Sequence, residues 1–293
     1  MPTTTAFPHS RADRVREAKK NLDAHIQELA EQMSRGRSDA LLRYLECCAR
    51  FHAYSFGNIM LAFMQCPHMT RLAGLRTWNR LGRHVKAGEH GIIILAPMTV
   101  HRRLEKPGIV TDEPAEDDAE ERVVMLYKPV YVFDISQTEG KELPSLIHAA
   151  GDVAGCYPAL QKAVRQAGIV LEYADHVPGC PGAHGASFGG RIVIRQALPE
   201  AHGFRTLAHE FAHELLHKHH HQESKTIRET EADAAAYVVC RHFGVDCDTA
   251  DYLLLYNSEP KILLDRLETI RQTAARIIEA AEGDSLSKDE EGG

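Results

Sequence analysis

The stretch TLAHEFAHELLHKHHH, Thr206 to His221, places six histidines and two glutamates on a segment whose leucines and alanines also carry helical spacing. His209 and His213 are four residues apart, so on a helix they lie about 40° apart on one face, one turn from each other. Two imidazoles so placed can share one metal ion. Glu210 is next to the first of them on the turn, where it coordinates poorly but can reach a water held by that ion. The chemistry this suggests is a pair of neutral imidazoles, a carboxylate general base and an open coordination position.

The pattern is the HExxH of zinc peptidases, and a catalytic zinc site needs a third protein donor. His219 stands ten residues after His209, the metzincin spacing, but those enzymes break the helix with a glycine where this chain has Leu216. In an unbroken helix His219 points about 80° away and nearly three turns along. His217 is two turns above His209, too far to close the same site. Glu229, in RETEADAAAYVVC, opens a helix that can return beside the first. Asp233, one turn on, can accept the free N–H of a ligating histidine. Glu231 is the rival donor, though it points about 200° from Glu229. The expected site is therefore His209, His213 and Glu229 around zinc, with Glu210 as base and Asp233 behind a ligand. His217 and His219 to His221 read as surrounding or solvated groups. Tyr237 and His202 are candidate donors to a developing oxyanion. Arg191 to Arg195 reads either as an edge strand that pairs with substrate main chain or as an internal core strand.

The elements that must position these residues follow from periodicity. Val15, Ala18, Leu22, Ile26 and Leu29 predict a helix over 11–34, a second begins near Asp39, and YSFGNIMLAFMQC predicts a third that stops before Pro67. GIIILAPM and RVVMLYKPVYVFDISQT read as strands, separated by the acidic loop TDEPAEDDAEE. ALQKAVRQAG predicts a helix, IVLEY and GGRIVIR strands, and three helices run over about 199–220, 225–243 and 259–281. The tail from about 283 is expected to be disordered. A chain of 293 residues can hold two cores, and the best boundary is EGKELPSLIHAAGD, near residue 145. The expected architecture is α+β in two domains, 1–145 and 146–293.

Composition is that of a globular protein, with 44% hydrophobic residues, 26% charged and a formal net charge of -7. The first thirty residues show no signal peptide, and no apolar run reaches the roughly 20 residues of a membrane span. Cys47, Cys48, Cys66, Cys156, Cys180, Cys240 and Cys247 form no CxxC and suit reduced thiols, hence a cytoplasmic setting. The overall acidity hides a basic stretch. From Arg50 to Arg103 there are eight Lys or Arg and one acid, Glu89, interleaved with Phe51, Tyr54, Phe56, Phe63 and Trp78. Cations along phosphates and rings under bases are what a single-strand groove requires, although such aromatics, Trp78 above all, also suit a core. Arg71, Arg76, Trp78, Arg80, Arg83 and Lys86 are the candidate contacts. In VKAGEHG, Gly88 and Gly91 suggest a turn whose amides could approach a phosphate, or an ordinary hairpin turn.

YSFGNIMLAFMQ, LRTWNRLGRHVKAGEHGIIILAP and VYVFDISQTEGKELP resemble the N-terminal, single-stranded-DNA-binding domain of ArdC-type antirestriction proteins. The second half is similar to the metallopeptidase domain of the same proteins, with an ImmA/IrrE-like or SprT-like HExxH followed by ETEAD. The acidic insertion and the polyhistidine run depart from the pattern. The resemblance implies a zincin-like fold, a gluzincin-like zinc endopeptidase, His209, His213 and Glu229 as ligands, and Glu210 as base. Its expected partners are single-stranded DNA and a DNA-bound or regulatory protein substrate, with no membrane. Two other readings stand beside it: a protein that protects single strands while its zinc domain is structural or vestigial, and a repressor-cleaving protease that DNA merely recruits.

Overall fold

The computed structural model describes residues 10–34, 39–103, 121–143, 153–218, 223–245 and 260–283. The acidic loop up to residue 120, the predicted boundary at 145, His219 to His221, Cys247 and the tail lie outside the described residues. Three helices open the chain: α1 (Arg11–Ser34), α2 (Asp39–Arg50) and α3 (Phe56–Gln65). Ser55 starts α3 by accepting the Asn58 amide, and Pro67 ends it one residue beyond the cap at Cys66.

Next come β1 (Leu72–Ala73), α4 (Leu75–Arg80), β2 (Arg83–Val85), β3 (Ile92–Arg103), β4 (Glu121–Asp134) and β5 (Thr138–Gly140). β3 and β4 form a long antiparallel ribbon, with Ile92 opposite Val132 and Arg103 opposite Glu121, and β1 extends it on the far side of β4. Asp134 closes this corner. Its buried carboxylate accepts the amides of Thr70, Arg71 and Ser136, so three backbone donors that the turn would leave unpaired converge on one side chain.

The second half contains α5 (Val153–Gln166), β6 (Val170–Ala174), β7 (Gly185–Ser187), β8 (Arg191–Arg195), α6 (Glu200–His217), α7 (Lys225–His242) and α8 (Pro260–Glu282). Helix α5 starts earlier than the ALQKAVRQAG segment, with Pro158 inside it. The sheet order is β6-β8-β7, β6 parallel and β7 antiparallel to β8. Of the two readings of Arg191 to Arg195, the internal strand is the one found. Ile192, Val193 and Ile194 are all buried, which a strand exposed along one edge would not allow, and β7 takes the edge instead.

Most buried apolar residues of the two expected domains join in one large cluster, beside a small one of Ala18, Leu61 and Leu95. The large cluster runs from Leu41, Tyr44 and Ile59 through Phe204 and Phe211 to Val238 and Ile270. The cause is direct: α2 packs on α7, and α1 packs on α8. The contact carries polar fasteners, with Arg241 donating to Glu46 at 2.8 Å and His242 within 2.8 Å of the Ala49 carbonyl. Among the described residues no helix is long and apolar enough to cross a membrane.

Candidate metal centre

Helices α6 and α7 pack against each other, and the candidate site lies between them. Ser224 fixes the start of α7 by accepting the Ile227 amide, which sets the phase of the helix on which Glu229 and Asp233 sit one turn apart. The Nε2 atoms of His209 and His213 face each other at 3.0 Å. Glu229 Oε2 lies 3.4 Å from the first and 3.6 Å from the second. These three donor atoms all fall within 4.8 Å of one another. On the other side of its ring, His209 Nδ1 is 2.9 Å from Asp233 Oδ1, and Arg205 stands 4.0 Å from the same oxygen.

The protonation pattern reflects this crowding. Burial lowers the His209 imidazole, but its hydrogen bonds to Asp233 and Glu229 outweigh that and lift it up to about 10. The same bonds from His209 and His213 hold Glu229 well below the usual carboxylate range, against the effect of burial. Burial pushes Glu210 up, partly offset by the charges of His209 and His213.

The edge strand β7 runs beside the catalytic candidate. The Ser187 backbone hydrogen-bonds Glu210. A Cβ on Gly185 would come within 2.6 Å of Thr206 Cγ2 and 3.1 Å of Glu210 Cγ, so only glycine lets the strand lie this close to the helix. Glu214 holds the strand there. This buried carboxylate accepts the Ser187 hydroxyl at 2.7 Å and the amides of Gly189 at 2.9 Å and Gly190 at 2.6 Å. Gly189 and Gly190 both have positive φ, as the tight β7 to β8 turn demands. Nothing in the sequence pattern singles out Glu214, because its partners are brought to it by the tertiary fold.

Other predicted residues fall elsewhere. Tyr237 is two turns beyond Glu229, and its hydroxyl reaches Glu46 on α2 at 3.4 Å, so it faces the helical interface and not an oxyanion over Glu210. His202 is exposed on α6, its ring edge-on to His184 at 5.7 Å. Glu231 turns away from His209 and His213, as its angular offset predicts. It lies 3.6 Å from His217, a residue buried rather than solvated, and near Glu223 and Arg266. Burial and then the Glu223 carboxylate push Glu231 up to about 7, while burial and His213 push His217 down to about 4.

The DNA-contact candidates divide. Trp78 is 1% exposed and its indole N–H donates to the Phe133 carbonyl at 3.0 Å, so it is core and cannot stack under a base. Phe51, Tyr54, Phe56 and Phe63 likewise pack into the apolar cluster. The Arg83 guanidinium is committed, donating to the Thr138 hydroxyl, the Thr138 carbonyl and the Lys141 carbonyl, where it pins β5 to β2. Arg76, Arg80 and Lys86 are exposed, Lys86 donating to the Ser136 carbonyl at 2.8 Å, while Arg71 is half-buried. Gly88 has the positive φ of a turn. Gly91 does not: a Cβ there would meet the Tyr131 side chain at 2.9 Å, so its smallness makes room for a ring and not for a phosphate.

That ring belongs to a face the sequence reading did not single out. Val123, Met125, Tyr127 and Tyr131 alternate along β4 and are 45–62% exposed. Cations from α1 attend the rings, with Lys19 Nζ 5.2 Å from the Tyr127 centroid and Arg14 donating to the Tyr131 hydroxyl at 3.2 Å. The period of two in MLYKPVY was the available signal.

Fold and site together define a mixed α/β protein with a histidine–carboxylate cluster suited to a divalent cation. Residues 13–133 match the family model described as the N-terminal domain of anti-restriction factor ArdC. An uncharacterized protein of Bacillus anthracis is 25% identical over 243 residues, 72% of this chain. The chain spans about two fifths, 41%, of that relative's length. Two solved structures of the antirestriction ArdC protein from plasmid R388 are similar. The metal-free form has a TM-score of 0.43 and 18% identity over 78% of this chain and 84% of that one. The Mn(II)-bound form has 0.49 and 16% over 90% and 98%.

Proposed function

We propose that the chain is an antirestriction-type protein that binds single-stranded DNA through residues 1–145. Residues 146–293 would form a zincin-like domain with a divalent-metal centre, hydrolysing peptide bonds in DNA-bound or regulatory proteins. The observation that carries the catalytic reading is the pair of opposed Nε2 atoms at 3.0 Å with Glu229 on both. With Nδ1–H of His209 donating to Asp233, Nε2 of the neutral ring points its lone pair toward the His213 nitrogen and the Glu229 carboxylate. One divalent cation satisfies all three acceptors at once.

His209, His213 and Glu229 would hold the ion, and zinc suits two imidazoles and one carboxylate. When bound, it supplies Lewis acidity to a carbonyl and acidifies water. Glu210, buried on the same helix turn, takes the proton of the attacking water and returns it to the leaving amine. β7 is the edge along which an extended peptide would lie beside Glu210. In the N-terminal part, Arg71, Arg76, Arg80 and Lys86 supply phosphate contacts, and Tyr127 and Tyr131 supply stacking surface. The described cysteines are thiols and not disulfides, which suits a reducing, cytoplasmic setting.

The match of residues 13–133 favours a second reading, in which protection of DNA is the whole activity and the metal site is structural. One comparison separates the two. Zinc-loaded wild type and Glu210→Gln are incubated with a protein bound to single-stranded DNA, and metal content, cleavage and nuclease protection are measured. The catalytic reading expects both proteins to hold metal and to protect DNA, with cleavage by wild type alone. Protection without cleavage by either protein establishes the second reading. Tyr127→Ala with Tyr131→Ala should weaken single-strand affinity about tenfold or more, since a stacked base contributes about 1–3 kcal/mol.

A further inference from the structure

A second group of metal-ligating side chains lies where α6 ends and α7 begins, on residues the proposed mechanism does not use. His217 is in the last turn of α6, Glu223 in the connection and Glu231 in the second turn of α7. One donor atom from each falls within 4.8 Å of the other two. His217 is 6% exposed and Glu231 2% exposed. Each has a buried atom, His217 Nε2 and Glu231 Oε1, with no hydrogen-bond partner among the described residues, which is costly for a buried polar group. Arg266 pairs with Glu223 at 2.5 Å but reaches Glu231 Oε1 only at 3.5 Å. The Arg228 backbone hydrogen-bonds the His217 ring, which still leaves Nε2 without a partner among the described residues.

We propose that His217, Glu223 and Glu231 form a second divalent-metal site, distinct from the His209 cluster, that clamps the α6–α7 hairpin. An imidazole nitrogen and two carboxylate oxygens are a donor set that zinc or manganese accepts. A tetrahedral ion with bonds of about 2.1 Å needs ligand atoms roughly 3.4 Å apart, a modest contraction from the present spacing. The ion would take up both orphaned atoms at once and free Arg266 from sharing two carboxylates. Its position at the C-terminal end of α6 adds the attraction of the unpaired carbonyls there for a cation. The α6–α7 pair carries His209, His213, Glu229 and Asp233 one turn away, so the clamp would fix the spacing of those residues without touching substrate.

The test counts metal in the full chain, on a background with His219, His220 and His221 replaced by Ala so that loose binding by the polyhistidine run does not register. Chelator-stripped protein is reloaded with zinc, freed of excess and assayed by elemental mass spectrometry. The expected result is about two zinc per chain in this background and about one in each of His209→Ala and Glu231→Gln, with none when both are combined. Zinc should also raise the melting temperature of the His209→Ala protein and lose that effect once Glu231→Gln is added. Glu223→Gln, at a more exposed position, gives the same readings if Glu231→Gln fails to fold. If His209→Ala retains no zinc, or if Glu231→Gln removes none from it, the second site is overturned. Zinc that survives His209→Ala and is lost with Glu231→Gln upholds the second site even if the reading of the HExxH cluster fails.

Discussion

Asp233 shows how one carboxylate can decide what a neighbouring histidine does. It is buried, sits behind His209 and accepts from Nδ1, which leaves Nε2 as the nitrogen facing the cluster. Asp233→Asn keeps the volume but offers an amide that can present either a donor or an acceptor to the ring. Loss of such an outer partner typically weakens metal affinity by about 10–100-fold. That is the expectation here, measured by zinc competition against a chromophoric chelator, with unchanged affinity ruling out the role. That His209 and His213 share one face of α6, and Glu229 and Asp233 one face of α7, was legible in the sequence, because four-residue steps within one helix need no knowledge of the fold. The burial of Trp78 and the engagement of Arg83 were not. Both depend on Phe133, Thr138 and Lys141, more than fifty residues away, which a single-sequence reading cannot bring near.

At the scale of elements, the same difference separates helix from strand. The long helices stand close to where spacing put them, whereas the role of Arg191 to Arg195 was left open because three apolar residues in a row do not reveal who pairs on either side. The three-residue β7 carries no periodicity at all, and only Gly185 hints at the close approach it makes. Asp134 is a comparable case in the N-terminal half. Burial alone would raise its carboxyl, but the amides of Ser136, Arg71 and Thr70 hold it below the ordinary value of 3.8. Since the folded value is depressed, the stability it contributes is present above the unfolded value and lost as pH falls through the folded one. Asp134→Asn turns an acceptor into a donor facing amide N–H groups and should cost about 1–3 kcal/mol near neutrality. Urea unfolding should show that gap closing as pH falls below the ordinary value of 3.8 and the wild-type carboxyl is protonated. A gap that persists undiminished into acid would mean the ionised carboxylate is not what joins β1 to the end of β4.

For the whole molecule, the question is whether the N-terminal part and the part carrying the His209 cluster are independent. The sequence suggested a cut near residue 145, placed by composition and turn signals alone. Across that position α2 buries Leu41, Tyr44 and Leu45 in the same apolar cluster as Val238 and Val239 of α7, and α1 rests on α8. Removing residues 146–293 would strip those side chains of their cover and leave Glu46 without Arg241 and Tyr237. Exposing several large apolar side chains costs about 1.5–3 kcal/mol each, which rivals the whole stability of a domain of that size. The isolated fragment 1–145 is therefore expected to lack a cooperative thermal transition by circular dichroism and to self-associate, while the full chain unfolds with its two parts coupled. Introducing Leu45→Ala into the full chain should then lower the melting temperature of both parts together, read by a probe in each. Cooperative, monomeric folding of the fragment would show that the shared core is dispensable. Coupled unfolding would mean that events at the α6–α7 hairpin can be transmitted to the β3–β4 ribbon through packed helices and not through a linker.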